Sequence, residues 1–406
     1  MTALDSKDIP STRPFANLHG MIVCTNSSMR LWPLARERAP LELNGDTNGN
    51  ASPLAKTIKA MRPYCESPLI IAVPHDIALY VKKHIAEAGL LEPDEYHLLV
   101  EPHRRGDALT CALAAATVKL TDPHAILLCV PATVTFECDN RWEQALKRAY
   151  RAAKNSKIAL IGSSVAPLTK VAGGQSRIAA TSELGSDKPP LLLGTVRMGA
   201  ECKDIDGVYQ VRSFIARPTP ALAWRAQQNK SLWSTHIFMV RADLALAELR
   251  SVGHESNDPS MQSVQRIAET ARFFVALGDE HWSSKEAAGL VETLPTSSFE
   301  EAVFETTKLL VAVPTSVPFA DLTTLAGYEQ SIKADSKGNR LRGKALAVQT
   351  KDTTILSDGA KLVVALGLED AIIIDTEDAT LITTRDGLTA IPSLIATLRT
   401  TNAPEL

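Results

Sequence analysis

The stretch Met21-Ile22-Val23-Cys24-Thr25-Asn26-Ser27-Ser28-Met29-Arg30-Leu31-Trp32-Pro33-Leu34-Ala35-Arg36-Glu37 decides how this chain is read. Its first four residues are a short apolar run, and residues 25–28 are small and polar. That order predicts a first strand that empties into a loop. A cation, Arg30, follows the loop. The apolar Leu31-Trp32-Pro33-Leu34 then needs a surface to bury against, and Arg36 closes the segment.

Working outward, the same alternation recurs. Residues 68–73 (PLIIAV) form a continuous apolar run bounded by proline, which suits a strand covered on both faces. Residues 77–88 have helical spacing and 97–100 read as the next strand. A helix over 107–120, a strand over 125–130, a helix over 141–154 and a strand over 157–161 follow. Strands alternating with helices predict an α/β domain of Rossmann-like form with a mainly parallel sheet, whose ligand lies at the carboxyl ends of the strands. Residues 44–53 and 181–190 read as polar loops. Farther on, 209–214 and 311–313 read as strands, with a helix over 220–228. From residue 341 the texture changes to short β-like runs (344–348, 361–366, 371–374, 380–383) with a turn about every ten residues, closed by a helix over 391–399. No repeat of fixed period is legible there. The expected division is a polar leader over 1–18, an α/β domain over 19–330 and a small β-rich C-terminal unit over 331–406.

Composition narrows the class. The 406 residues are 45% hydrophobic and 22% charged with a net charge of −3, ordinary for a chain that buries a large core and unlike a nucleic-acid binder. No apolar run reaches the roughly 20 residues needed to cross a bilayer. The six cysteines are scattered without a CxxC, and the first residues have no apolar signal-peptide core, so a cytoplasmic chain with reduced thiols is expected. The nine histidines contain no HExxH, and neither a GxSxG elbow nor a GxxxxGK[ST] loop is present.

The opening stretch resembles the second half of the signature A-G-G-x-G-T-R-L-W-P-L-S-R-x-x-x-P-K of the mannose-1-phosphate guanylyltransferase family, sugar-phosphate nucleotidyltransferases. Six further fragments follow in the family's order, one of them Val130-Pro131, which sits where the family has L-P-S-D-H. Glu101-Pro102 with Arg105 and Ala108 is similar to E-P-x-x-R-N-T-A. Residues 214–218 are similar to F-V-E-K-P, and Leu232-Trp233-Ser234-Thr235-His236-Ile237-Phe238 to L-W-N-S-G-I-F. Ser298-Phe299-Glu300 is similar to the start of S-I-D-x-A-V-M-E, and Phe319-Ala320-Asp321-Leu322 to W-S-D-V-G. Asp370, Asp375, Thr376, Asp378 and Arg385 continue the match. Family members fused to an isomerase domain run on for about 100 residues or more, for which a chain of this length has no room.

The resemblance implies transfer of a nucleotidyl group from GTP to mannose-1-phosphate with release of pyrophosphate, assisted by magnesium. Such a site must neutralise two polyanions at once. By resemblance, Arg30, Arg217 and Asp321 are the catalytic candidates. Asn26, Ser27, Ser28, Arg30 and Arg105 are nucleotide-binding candidates, Gly174, Ser234 and His236 would meet the sugar, and Asp321 would hold the metal. Arg30, Arg36 and Arg217 are the cations expected to attract anions.

The chain departs from the pattern at chemically loaded positions. The loop before Arg30 has no glycine, the P-K lysine falls on Leu41, and the first metal aspartate falls on Thr133. The expectation is therefore a family member with a degraded active site, weak or inactive. Two rivals stand beside it: a working transferase using Asp107 or Glu137 as the missing carboxylate, and a non-catalytic interaction or regulatory subunit that assembles with an active homologue and binds no ligand. The expected partners are a homo-oligomer or an active homologue. Plainer readings accompany each residue. Arg30 can pair with a carboxylate, Asp321 can cap a turn, Gly173-Gly174 can be a plain turn, and Trp32 and Trp233 can be core.

Overall fold

The computed structural model describes residues 14–24, 29–36, 40–44, 51–164, 168–170, 176–178, 193–255, 263–278, 284–358 and 360–406. The strands are β1 (Leu18–Val23), β2 (Glu66–Pro74), β3 (Tyr96–Glu101), β4 (Ile126–Pro131), β5 (Val134–Phe136), β6 (Ile158–Ser163), β7 (Leu168–Lys170), β8 (Ser176–Ile178), β9 (Thr195–Glu201), β10 (Tyr209–Ile215), β11 (Leu232–Arg241), β12 (Leu310–Thr315) and β13 (Phe319–Asp321). Nine of them form one sheet in the order β3-β2-β1-β4-β11-β6-β12-β10-β9. The block β3-β2-β1-β4 is parallel, as is the pair β6–β12, while β11 runs antiparallel between β4 and β6.

Period-two alternation divides the core across this sheet. Met21 and Val23 pack on one face with the helices Asp107–Thr121, Ala242–Glu255 and Gln265–Leu277. Leu18, Ile22 and Cys24 pack on the other with Pro53–Met61, Ala78–Glu87 and Asn140–Lys154. The helix Asn140–Lys154 starts where the Asp139 carboxylate accepts from the Arg141 and Trp142 amides, a cap worth about 1 kcal/mol. Its Trp142 is buried under the sheet. Among the described residues no helix is long and apolar enough to cross a membrane.

Several boundaries differ from the sequence expectation. Strand β1 already begins at Leu18, inside the expected leader; residues 1–13 lie outside the described part. The helix Pro53–Met61 was not expected; Ser52 starts it by accepting from the Ala55 amide, and the adjacent polar run masked that signal. The expected loop over 181–190 lies outside the described residues.

The C-terminal unit is a parallel β-coil. Its strands are β14 (Arg340–Arg342), β15 (Ala345–Val348), β16 (Thr354–Ser357), β17 (Val363–Leu366), β18 (Ala371–Asp375) and β19 (Thr380–Thr384). Ala345 pairs with Val363 and Thr354 with Ile372, each 18 positions on, while β19 folds back antiparallel on β18. A rung of 18 residues is thus present where no repeat was legible. The paired strands differ in residue pattern, and the first step, Arg340 to Thr354, is 14 residues.

The segment after the first loop joins the two units. Leu31, Trp32, Leu34, Ala35 and Leu41 are buried in one cluster with Leu322, Leu325, Leu356, Ile374, Leu388 and Ile391. Full burial of such a side chain contributes about 1.5–3 kcal/mol. The Trp32 indole donates to the Glu405 carbonyl at 3.0 Å. Arg36 donates to both Asp378 carboxylate oxygens, to Thr376 Oγ1 and to the Pro33 carbonyl. The expectation that Arg36 attracts anions is therefore corrected: it is a clamp, engaged by the C-terminal unit. Arg385 makes a second clamp, with Glu329 (2.6 Å) and Asp370 (2.9 Å).

Candidate functional site

A cleft of about 380 Å3 opens where β1 and β4 end, with Val23, Pro131, Thr133 and Val134 on its floor. This is the carboxyl edge of the parallel strands, where open α/β sheets bind ligands. Its charged lining among the described residues is three cations, Arg104, Arg217 and His236, and four carboxylates, Asp107, Glu300, Glu301 and Asp321.

His236 stands on a break in β11. The register of β11 on β6 slips between Ser234 and Phe238, and His236 has φ = 59°. That left-handed backbone costs a side-chain-bearing residue about 1–2 kcal/mol, which explains the glycine that the resemblance places at this position. The break is fixed locally: Ser234 Oγ accepts from the His236 amide at 3.1 Å, and Thr235 Oγ1 donates to the Ile161 carbonyl at 2.6 Å. It aims the imidazole into the cleft, with Nδ1 3.1 Å from Glu300 Oε1.

Glu300 opens a π-helical turn, Glu300–Phe304, and is 4% exposed. It also accepts from Ser234 Oγ. Burial by itself pulls the His236 pKa down. Contact with Glu300, followed by the charges of Asp321 and Asp107, reverses this and raises it from 6.5 to about 9. The ring is therefore an imidazolium at neutral pH. Ser234 does not line the cleft; it stands behind Glu300 and orients it.

The other cations are paired as well. Arg217 Nε is 2.6 Å from Glu301 Oε1, and the Ser298 amide and hydroxyl donate to the other Glu301 oxygen at 3.1 Å. One Arg104 nitrogen, Nη2, donates to both Asp76 carboxylate oxygens, at 3.1 and 3.0 Å. Arg105, the expected nucleotide ligand, is placed elsewhere. Its guanidinium donates to the Glu292 carbonyl at 2.5 Å and to Thr296 at 3.3 Å, and it is not among the residues lining the cleft. Gly106 makes the turn that follows. Its φ is +79° and a Cβ would lie 2.2 Å from the Ser297 carbonyl oxygen, so the turn into the following helix needs glycine.

Asp107 begins the helix Asp107–Thr121 and accepts from the Phe299 amide at 2.6 Å. Burial pushes its pKa up to about 6, against that hydrogen bond; Glu300 adds to the rise and His236 opposes it. Behind it Glu101 is fully buried. Burial raises its pKa to about 7, although Thr110 donates to it. Glu137 lies at the surface, 3.2 Å from Arg141, and does not line the cleft.

Asp321 and Thr133 are brought together. Asp321 faces Val134 across the antiparallel β5–β13 ribbon, and the Leu322 amide donates to the Thr133 carbonyl at 3.0 Å. Gly327 lets the next helix sit on this ribbon: a Cβ there would lie 1.7 Å from the Asp321 carbonyl oxygen. Thr133 is 1% exposed. Both Asp321 oxygens accept from Thr323, Oδ1 from its amide at 3.0 Å and Oδ2 from its hydroxyl at 2.9 Å. Magnesium prefers carboxylate and phosphate oxygens in an octahedron. The residues here do not fit that need: one partner is a neutral threonine and the carboxylate is turned onto its own turn. No group of three or more His, Cys, Asp or Glu among the described residues is arranged to hold a metal ion.

Arg30 falls in the 3-10 turn Met29–Leu31, but its side chain is outside the described part, as are Asn26, Ser27, Ser28 and Gly174. Trp32 and Trp233 are 8% and 2% exposed and belong to the core. The sequence reading gave no role to Arg104, Glu300 or Glu301. For the two glutamates a signal existed in the fragment beginning Ser298-Phe299-Glu300; for Arg104 none did.

Comparison with known proteins agrees with this architecture. Residues 343–398 match the MannoseP isomerase/GMP-like beta-helix domain. The alginate biosynthesis protein AlgA of Pseudomonas aeruginosa is 25% identical over 358 residues, 88% of this chain and 67% of that one. The mannose-1-phosphate guanylyltransferase of Salmonella muenchen is 23% identical over 388 residues, 95% of this chain and 74% of that one. In fold, the crystal structure of mannose-1-phosphate geranyltransferase from Thermus thermophilus superimposes with a TM-score of 0.73 over 94% of this chain and 99% of that one, at 18% identity. The chain is thus similar over most of its length to proteins named mannose-1-phosphate guanylyltransferase and AlgA, shares the beta-helix domain match at 343–398, and has the fold of the Thermus thermophilus structure.

Proposed function

We propose that this chain is a guanylyltransferase-like protein that retains a nucleotide or sugar-phosphate cleft but has lost most of its power to transfer a nucleotidyl group. The observation that carries the reading is charge pairing. Each described cation of the cleft already faces a carboxylate: His236 faces Glu300, Arg217 faces Glu301 and Arg104 faces Asp76. A triphosphate meeting a sugar phosphate needs preorganised positive charge that is open to it. Here a ligand must first displace an internal partner, and the Thr133–Asp321 pair offers one carboxylate where the family's chemistry uses two. Removing one preorganised donor typically lowers turnover about 100- to 1,000-fold.

The test is pyrophosphate release from GTP and mannose-1-phosphate with magnesium or manganese, repeated with ATP, CTP, UTP and dTTP. The expected result is turnover far below the roughly 1–1,000 per second of ordinary enzymes, together with stabilisation by at least one nucleotide. Robust turnover with any pair, abolished by Asp321→Ala, would overturn the reading in favour of a rearranged working site that uses Asp107. Neither turnover nor stabilisation by any nucleotide would leave the interaction-subunit reading in its place.

A further inference from the structure

A second cavity lies on the other side of the β5–β13 ribbon. It holds about 320 Å3, and its lining includes Lys56, Thr135, Leu322, Tyr328, Lys333 and Arg342. Strand alternation separates the two cavities. Val134 and Asp321 line the cleft, whereas their neighbours Thr135 and Leu322 line this pocket. The pocket draws its walls from both units, since Lys56 belongs to the helix Pro53–Met61 and Arg342 ends β14.

The two cavities differ in charge. In the cleft, carboxylates outnumber cations. Here three cations line the space, and no aspartate or glutamate does among the described residues. Arg342 is held in place: its guanidinium donates to the Tyr328 hydroxyl and lies 5.2 Å from the centre of that ring. Tyr328 is 3% exposed, so the arginine fork is fixed by a rigid support. Lys333 is exposed on the linker into the β-coil. A planar fork with two ammonium groups around a small concave space matches a phosphate group, which accepts several charge-assisted hydrogen bonds at once. The volume falls within the range of small-molecule sites.

We propose that this pocket binds a phosphate-bearing small molecule at the junction of the two units, separately from whatever occupies the cleft. Such a ligand ties the helix Pro53–Met61 to the β-coil through its oxygens. It stabilises the junction without touching Arg217 or His236.

The experiment follows the melting temperature of the full chain during titration with inorganic phosphate, against chloride at matched ionic strength to remove general screening. Wild type, Lys333→Glu, Arg342→Lys and Arg217→Ala are compared. Phosphate is expected to raise the melting temperature of the wild type and of Arg217→Ala alike. Lys333→Glu, a change at an exposed position, should weaken phosphate binding about tenfold or more. Arg342→Lys, which keeps the charge and loses the fork, should fall between. A parallel titration with GTP separates the sources. Stabilisation by GTP that survives Arg217→Ala and disappears in Lys333→Glu assigns a nucleotide to the pocket. A phosphate response shared by the wild type and Arg217→Ala and weakened in Lys333→Glu, without that GTP pattern, assigns inorganic phosphate or a small phosphate ester to the pocket. A phosphate response lost in Arg217→Ala and kept in Lys333→Glu places the anion in the cleft and overturns the proposal. So does the absence of any phosphate effect beyond that of chloride.

Discussion

His236 Nδ1 lies 3.1 Å from Glu300 Oε1, and the histidine that makes this contact occupies a left-handed backbone position, φ = 59°. A cation has thus been built into a site at some backbone cost, and the carboxylate facing it is almost fully buried. The pair gives the cleft its own positive charge and at the same time neutralises it.

That pair sets a pH window. The folded-state pKa of His236 is raised from 6.5 to about 9, so the native state holds its proton more tightly than the unfolded chain does. The resulting stability is complete below about pH 6.5 and is lost as pH rises through about 9. Melting temperature against pH should fall across this interval in the wild type. The fall should be smaller in His236→Gln, which should also be less stable at pH 7 because Glu300 keeps its charge without the imidazolium. A His236→Gln profile that declines as steeply as the wild type's would remove the pair from the account.

Glu101 gives a window of the opposite chemistry and the same sign. Burial raises its carboxyl to about 7, so the folded state favours the protonated form. Stability from this group is highest below its ordinary value near 4.5 and declines as pH climbs to about 7. Glu101→Gln imitates the neutral acid and keeps an oxygen to accept from Thr110. It should flatten the profile between about pH 4.5 and 7 and leave the chain no less stable at pH 8. Loss of stability at every pH would show that the carboxylate is needed for its hydrogen bonding alone.

Arg36 joins the first loop to the C-terminal coil. Its side chain is 13% exposed and that of Asp378 is 51% exposed. Arg36→Ala is expected to cost about 1–2 kcal/mol, the value of charge-assisted hydrogen bonds discounted for the solvent around Asp378. Trimming by protease in the coil should become faster. Hydrogen bonding to Arg36 holds the Asp378 carboxyl down at about 2, against a small cost of burial, so this stability is present above about pH 4 and is lost as pH falls toward 2. Urea unfolding that changes by less than about 0.5 kcal/mol, within the range of an ordinary surface substitution, would reduce the clamp to a surface contact.

Much of the framework was legible in the sequence because it is written in periodicity. The apolar runs of β2, β4 and β6 and the helix Asn140–Lys154 announce themselves, and the motif order carries the resemblance. What stayed hidden depends on tertiary partners. Strands β5 and β13 have three residues each and exist because they pair with one another, so neither has a local pattern. Arg104 and Arg105 are adjacent and chemically identical, and only the folded structure shows that Arg104 lines the cleft while Arg105 holds Glu292 and Thr296. The 18-residue rung of the coil is a spacing of backbone registers, visible once Ala345 is seen beside Val363. His236 was legible as a departure from glycine, but its charge comes from Glu300, a residue distant in sequence that only the fold brings beside it.

The last prediction restores the missing carboxylate. Thr133 immediately precedes β5 and Asp321 ends β13; the Leu322–Thr133 hydrogen bond at 3.0 Å joins the two positions, and both line the cleft. Thr133→Asp puts a second carboxylate beside the first at a position 1% exposed. Without metal, the variant should be destabilised by several kcal/mol, since two like charges would share a poorly solvated space. Magnesium with GTP should return part of that loss, whereas the wild type should respond to GTP without a requirement for the ion. A ligand at 100 times its Kd contributes about 2.7 kcal/mol, well within the resolution of a melting experiment. The informative comparison is the double variant with Asp321→Asn. If the two carboxylates grip one ion, the magnesium-dependent recovery disappears when Asp321 is neutralised. Recovery that persists in the double variant would mean that Asp107 or Glu301 supplies the second ligand, and that Asp321 serves its Thr323 turn alone.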